Sequence, residues 1–262
     1  MEAVPAIVLA GERPGGGLLA RHFGVAANAL VPVAGTACIV RVIETLRQSK
    51  SIEGGLISGP VRSVVEDSPL FTALLRPQDF RWIEPAMGPS ESAADALKFL
   101  NRWPVLITTA DHALLSPDAV ENFCTKAKSL PVDVVVGLAP IEIVRHAFPE
   151  SRRTVLRFAD GGRCGTNLFF LRNESGVRVV EFWKSLQADR KKPWRMARRI
   201  GTGVLLRYFA GMLTADDALQ RIGLLAGCTI GWVNLVDPRV AVDVDSVDDH
   251  ALAEKLLSEP RA

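Results

Sequence analysis

Two places in the sequence put reactive groups at the end of an apolar run. The first is Gly11-Glu12-Arg13-Pro14-Gly15-Gly16-Gly17, which follows the run Val4-Pro5-Ala6-Ile7-Val8-Leu9-Ala10. Residues without a Cβ let backbone N–H groups come close to a phosphate or a base. The second is Asp111, a lone acid emerging from Trp103-Pro104-Val105-Leu106-Ile107-Thr108-Thr109-Ala110. A carboxylate so placed is a natural ligand for Mg²⁺ on a bound polyphosphate. The glycine spacing is not that of a P-loop, since no Gly-Lys-Ser/Thr follows, and G-x-G-x-x-G is absent. Taken alone, the loop serves equally as a flexible connection.

The elements that must hold these groups come from hydrophobic periodicity. Val4–Ala10, Gly55–Ser58, Trp103–Thr109 and Val132–Leu138 are short apolar runs of the kind that form buried parallel strands. Between them, Ile39, Val42, Ile43 and Leu46 mark a helix with one buried face, and Glu91 to Leu100 marks another. Ser116-Pro117 supplies an N-cap and a first-turn proline to a helix bearing Val120, Phe123, Cys124 and Ala127. Alternating strands and helices predict a mostly parallel sheet covered on both faces. In such sheets ligands sit beyond the carboxyl ends of the strands, where both reactive stretches fall.

Further along, Thr154–Phe158 and Leu168–Leu171 flank the turn Asp160-Gly161-Gly162 and predict an antiparallel excursion. Residues 175–226 are expected to be a helical insertion, broken near Pro193 and Gly201. Strands are expected at Thr229–Val233 and Val240–Val244, and a last helix begins at the capping box Ser246-Val247-Asp248-Asp249. The whole of 1–262 is expected to form one α/β domain.

Composition narrows the function. Lys+Arg 31 against Asp+Glu 29 gives +2 over 262 residues, so no global field draws nucleic acid or an anionic membrane, and any basic site must be local. No run approaches the roughly 18 apolar residues of a membrane span, and Met1-Glu2-Ala3-Val4-Pro5 is unlike a signal peptide. Cys38, Cys124, Cys164 and Cys228 are dispersed, without a zinc spacing or a disulfide framework. A reduced, cytoplasmic protein is expected.

Leu9-Ala10-Gly11-x-Arg13-x-Gly15-Gly16, followed by Ala29-Leu30-Val31-Pro32-Val33-Ala34-Gly35, resembles the signature L-A-G-G-x-G-x-R…K-x-L-x-P-x-x-G of nucleoside-triphosphate transferases. Thr109-Ala110-Asp111-His112 and Val242-Asp243-Val244-Asp245-Ser246-Val247-Asp248-Asp249 follow in the right order, the latter similar to a closing D-x-D-T-P-E-D-L. The chain thus resembles the MobA-like NTP transferases, which include molybdenum-cofactor guanylyltransferase and the sugar-phosphate nucleotidylyltransferases. The resemblance implies a Rossmann-like, GT-A-type three-layer fold with a mixed, mostly parallel sheet. It also implies transfer of a nucleotidyl group from an NTP, CTP or GTP favoured, to a phosphorylated small-molecule acceptor, with release of pyrophosphate.

Residue by residue, it places Leu9, Ala10, Gly11, Arg13, Gly15, Gly16 and Asn28 at the nucleotide, with Ala10 and Gly11 by the base and Arg13 by the triphosphate. Asp111 and Asp245 would hold Mg²⁺, Asp243 being a second choice because strand alternation puts 243 and 245 on one face. Arg13, Asp111 and Asp245 form the expected catalytic set. Two positions depart from the family: Asn28 stands where it has lysine, and Glu12 where it has glycine. Asparagine does not neutralise a phosphate, so a nucleotide-binding protein without turnover is the alternative. A glycosyltransferase of the related fold is a third reading, although Ala110-Asp111-His112-Ala113 lacks its D-x-D.

On the acceptor side, Arg157, Thr166 and Asn167 are candidate substrate contacts, or else the solvated face of a hairpin. His112 is the one histidine near a candidate site, suited to supporting Asp111, touching ligand or packing. Residues 190–199 gather Arg190, Lys191, Lys192, Arg195, Arg198 and Arg199 around Trp194 and Met196. They suit a solvated surface, a clamp on an anionic acceptor or a contact with anionic lipid. The protein is expected to be a monomer or homodimer.

Overall fold

Strand β1 (Val4–Leu9) lies between two apolar cores, and its alternation shows why. Val4, Ala6 and Val8 pack into one core and Ile7 into the other, as a strand covered on both faces requires. This computed structural model describes residues 2–12, 17–188 and 198–258.

Among the described residues the main sheet has eight strands. β1 pairs in parallel with β4 (Ile52–Ser58) on one side and β6 (Val105–Thr109) on the other. β5 (Phe80–Ile83) continues the sheet in parallel beyond β4. On the other side β9 (Gly161–Leu171) runs antiparallel between β6 and β7 (Val134–Pro140), and β10 (Ile230–Asn234) adds in parallel to β7. β8 (Leu156–Phe158) folds back on β9 as the expected antiparallel excursion. A separate two-stranded ladder joins β2 (Pro32–Val33) to β3 (Thr36–Ala37).

Helices α2 (Cys38–Gln48), α3 (Arg62–Glu66), α4 (Pro69–Leu75), α6 (Pro117–Ser129), α7 (Ile141–Ala147) and α11 (Val247–Ser258) contribute to the first core. Helices α5 (Pro89–Leu100) and α8 (Val177–Ala188) close the second. The result is a three-layer α/β architecture, Rossmann-like, with a mostly parallel mixed sheet. α6 begins as its sequence predicts: Ser116 Oγ accepts the Ala119 N–H at 3.2 Å and Pro117 takes the first turn. Within 175–226, α8 is followed by α9 (Thr202–Phe209) and α10 (Ala215–Ala226). Gly201, at φ 107°, separates α9 from the helical residues 198–200. The expected break at Pro193 lies outside the described residues.

One strand is unanticipated and one expectation is corrected. Phe80–Ile83 is an additional strand, a four-residue sheet edge. Val240–Val244 is not a strand: Asp237 Oδ1 accepts the Arg239 N–H at 2.9 Å, and Pro238 opens a 3₁₀ turn through Ala241. Beyond that turn the chain bonds to the site instead of to a ladder, so strand alternation does not govern Asp243 and Asp245.

Candidate active site

The carboxyl ends of β1 and β6 open onto a cleft of about 530 Å³. Leu9, Ala10, Gly11, Glu12 and Asn28 line it on the β1 side, and Thr109, Ala110, Asp111 and Asp245 on the β6 side. The two walls are joined by backbone: the Ala10 N–H donates to Ser58 O and the Ala110 N–H to Leu9 O. Gly59, at φ 95°, is held so close to this junction that a Cβ there would lie 2.6 Å from the Gly11 nitrogen. Only glycine lets the end of β4 approach the loop that follows β1.

Asp111 and Asp245 are brought together by main chain. The Val244 N–H donates to the Asp111 carbonyl at 3.0 Å, drawing the segment before α11 against the end of β6. Burial pushes the Asp111 carboxyl up to about 7. The Thr109 hydroxyl, donating at 2.5 Å, pulls the other way, while the charges of Asp245 and Asp243 add to the rise. Asp245 is raised to about 6, by desolvation in the protein wall and then by the charges of Asp243 and Asp249. Two crowded carboxylates facing one cleft form a hard oxygen donor pair that fits a divalent cation. Among the described residues no three His, Cys, Asp or Glu side chains form a metal cluster. A cation on Asp111 and Asp245 would therefore fill its shell with phosphate oxygens and water, as Mg²⁺ commonly does.

Asp243 has a different setting. Its carboxylate accepts from Arg153 Nη1 at 2.8 Å and from Asn167 Nδ2 at 3.3 Å, and it does not line the cleft. Arg153 also donates to Asp249, which accepts the Ser246 hydroxyl at 2.6 Å at the start of α11. The segment carrying Asp245 is thus held on both sides.

Glu12 ties Gly17, the last residue of the glycine run, to Asn28. Its carboxylate turns inward and accepts the Gly17 N–H at 3.2 Å and the Asn28 N–H. Asn28 Oδ1 in turn accepts the Ala20 N–H at 2.8 Å. That bond caps α1 (Leu18–Phe23), whose own N-cap, Gly17, has no side chain. Asn28 therefore meets the cleft with a side chain already bound to backbone. Arg13, Gly15 and Gly16 lie outside the described residues, as do residues 190–197 of the basic run.

Of the expected acceptor contacts, Asn167 bonds to Asp243, with φ 49°, and does not itself line the cleft. Thr166 is buried and points to Gly137, where a Cβ would lie 2.4 Å from its hydroxyl oxygen. Arg157 stands exposed on the outer strand β8. Neither lines the cleft. His112 is buried, its Nε2 donating to the Val240 carbonyl at 3.0 Å, and burial lowers it to about 4. It packs as a neutral ring behind Asp111. Burial raises Cys38 and Cys124 to about 12, which keeps both as inert thiols.

Sequence reasoning missed one wall. Ala86, Gly88, Pro89 and Ser92, from the loop before α5 and its first turn, line the cleft opposite Gly11. Gly88 caps α5 without a side-chain bond, and Ser92 Oγ accepts the Ala86 N–H at 3.0 Å. The signal was available in Gly88-Pro89, a helix start of glycine and first-turn proline. A second hollow of about 520 Å³, between α6 and the segment after β10, holds none of the expected site residues.

Comparison with known proteins bears on the family and the fold. A family model described as MobA-like NTP transferase domain matches residues 6–176. A hypothetical transferase of Thermus thermophilus superposes with a TM-score of 0.78 at 27% identity, over 95% of this chain and 100% of that one. The 2-C-methyl-D-erythritol 4-phosphate cytidylyltransferase of Thermus thermophilus gives 0.57 at 14% identity, over 98% and 100%. CMP:2-keto-3-deoxy-manno-octonic acid synthetase in complex with CTP gives 0.56 at 12%, over 98% and 99%. No curated protein matches by sequence. A family match across well over half of the chain establishes that the chain belongs to the MobA-like NTP transferase family of nucleotidyltransferases.

Proposed function

We propose that this protein transfers a nucleotidyl group from CTP, with GTP as second choice, to a phosphorylated small-molecule acceptor. The observation that carries the reading is the pairing of Asp111 and Asp245 on one wall of a cleft whose other walls are Leu9–Gly11 and the first turn of α5. An acceptor phosphate oxygen attacks the α-phosphorus of the NTP. The new P–O bond forms as the bond to the β-phosphate oxygen breaks, and pyrophosphate leaves.

In this reading Ala10, Gly11 and the Ala86–Ser92 wall enclose the nucleoside, and Arg13 with Gly15 and Gly16 meets the triphosphate. Asp111 and Asp245 would hold Mg²⁺, which when bound offsets charge on the reacting phosphates. Thr109 fixes the Asp111 carboxyl by its hydroxyl, and the Arg153–Asp243 pair fixes the segment bearing Asp245. The chain acts as one domain, since both walls belong to a single sheet. The cytidylyltransferase neighbours support CTP as the first donor to try.

Pyrophosphate release is the test, with each of CTP, GTP, ATP and UTP in turn, Mg²⁺, and a panel of phosphorylated sugars and alcohols. Release with one donor, abolished in Asp111→Ala, supports the reading. Unchanged release in Asp111→Ala overturns the metal assignment. A second reading, nucleotide binding without turnover, is favoured by Asn28, whose side chain is committed to the α1 cap. An Mg²⁺-dependent thermal shift with a triphosphate but no pyrophosphate from any acceptor selects it.

A further inference from the structure

From Arg190 to Ala215 the sequence carries seven basic residues and no acidic one. Three of these, Arg198, Arg199 and Arg207, belong to the described structure and are exposed, Arg207 being paired with Asp217 at 2.6 Å. Beside them α9 and the turn after it present Leu206, Phe209 and Met212 to solvent at 70%, 81% and 63% exposure. The positions recur every third residue, so Leu206 and Phe209 share one side of the helix. That side is not a frayed end. On the inner side the Tyr208 hydroxyl accepts the Arg157 N–H at 3.1 Å, and the Ala159 N–H donates to Leu213 O at 2.8 Å. Large apolar side chains are thus held outward by a helix pinned to the β8–β9 hairpin.

We propose that this face docks on the surface of a bilayer containing anionic lipid. Exposed Leu, Phe and Met flanked by arginine combine the two interactions of an interfacial helix, apolar insertion and attraction to acidic headgroups. Charge complementarity selects this occupant over a second copy of the chain. A two-fold interface sets a patch against itself, which here would bring arginine to arginine, the neighbouring Asp217 being already engaged by Arg207. Docking is at the interface and not across it: among the described residues no helix is long and apolar enough to cross a membrane. The inference stands independently of the reaction performed in the cleft.

Vesicle flotation of the full chain tests it. Phosphatidylcholine vesicles with about 30% phosphatidylglycerol should capture the protein and pure phosphatidylcholine should not, and capture should fall as salt rises from about 0.05 M to about 0.5 M. The triple variant Leu206→Ser, Phe209→Ser, Met212→Ser should lose binding by about tenfold or more with an unchanged circular dichroism spectrum. Arg198→Glu with Arg199→Glu should do the same through charge. Absence of wild-type capture by the anionic vesicles overturns the proposal. So does a wild-type dimer in sedimentation velocity that the triple variant dissolves while vesicle binding is unchanged, an outcome that assigns the face to a second copy.

Discussion

Arg153 Nη1 donates to Asp243 Oδ1 across 2.8 Å, with the arginine side chain 7% exposed and a second carboxylate, Asp249, on its other nitrogen. One buried cation therefore holds two acids that flank Asp245. Removing one member of a buried ionic group leaves the others without compensation, which is costly. Arg153→Ala should lower unfolding stability by about 3–5 kcal/mol, read from the urea midpoint at constant m. Adding Asp243→Asn should restore part of that loss, because one of the stranded charges is gone. A loss below about 1 kcal/mol would place the pair among weak surface bridges.

Asp111 opposes stability to the cleft's chemistry. Its carboxyl is raised to about 7 in the fold from an ordinary 3.8. The raised group favours the fold when protonated: that contribution is complete below the unfolded value and is lost as pH rises through about 7. Asn stays neutral throughout. In metal-free protein at pH 8, Asp111→Asn should therefore melt higher than wild type, by roughly 2–4 °C for each kcal/mol relieved, and the gap should close towards pH 4. The same variant should lose nucleotidyl transfer by about 100-fold or more. A lower melting temperature at pH 8 would contradict the assigned burial cost.

Much of the fold was legible because hydrophobic periodicity is strong where both sheet faces are covered. Val4–Leu9, Val105–Thr109 and Val134–Pro140 are nearly continuous apolar runs, and Ser116-Pro117 announces α6. Phe80–Ile83 escaped because a four-residue edge strand leaves little pattern. Val240–Val244 misled because its valines are buried, at 4% exposure or below for residues 240, 241, 242 and 244, without belonging to the sheet. Their side chains pack into the first core from a segment tied by tertiary bonds to Arg153 and Asp111, which local periodicity does not encode. The site shows the same division. Asp111 and Asp245 meet as expected, but the commitment of Asp243 to Arg153, 90 residues away, is visible only in the fold.

His112 should contribute to acid sensitivity. Burial lowers it to about 4, against the charges of Asp243 and Asp237 and its bond to Val240, which act in the raising direction. The neutral ring favours the fold, so its contribution is complete above about 6.5 and is lost as pH falls towards 4. Over that window the wild-type urea midpoint should fall more steeply than that of His112→Gln, which has no ring to protonate. Parallel curves for the two proteins would show that carboxylates alone govern the acid limb.

Glu12 sets an anion between Gly17 and Asn28. Its carboxylate takes the N–H groups of Gly17 and Asn28 and lines the same cleft as Asp111, on the wall where the triphosphate is proposed to lie. Two negative groups do not share one set of donors without cost, so nucleotide binding competes with this carboxylate. Glu12→Gln keeps an oxygen for the loop N–H groups but removes the charge, and Glu12→Gly restores the family residue. Both should bind CTP with Mg²⁺ more tightly, by about 3–10-fold, in isothermal titration. Glu12→Gln should also keep the wild-type melting temperature without nucleotide, whereas Glu12→Gly, which loses both bonds, should melt lower. Equal or weaker CTP binding in both variants would show that the carboxylate serves only to close the loop and does not face the triphosphate.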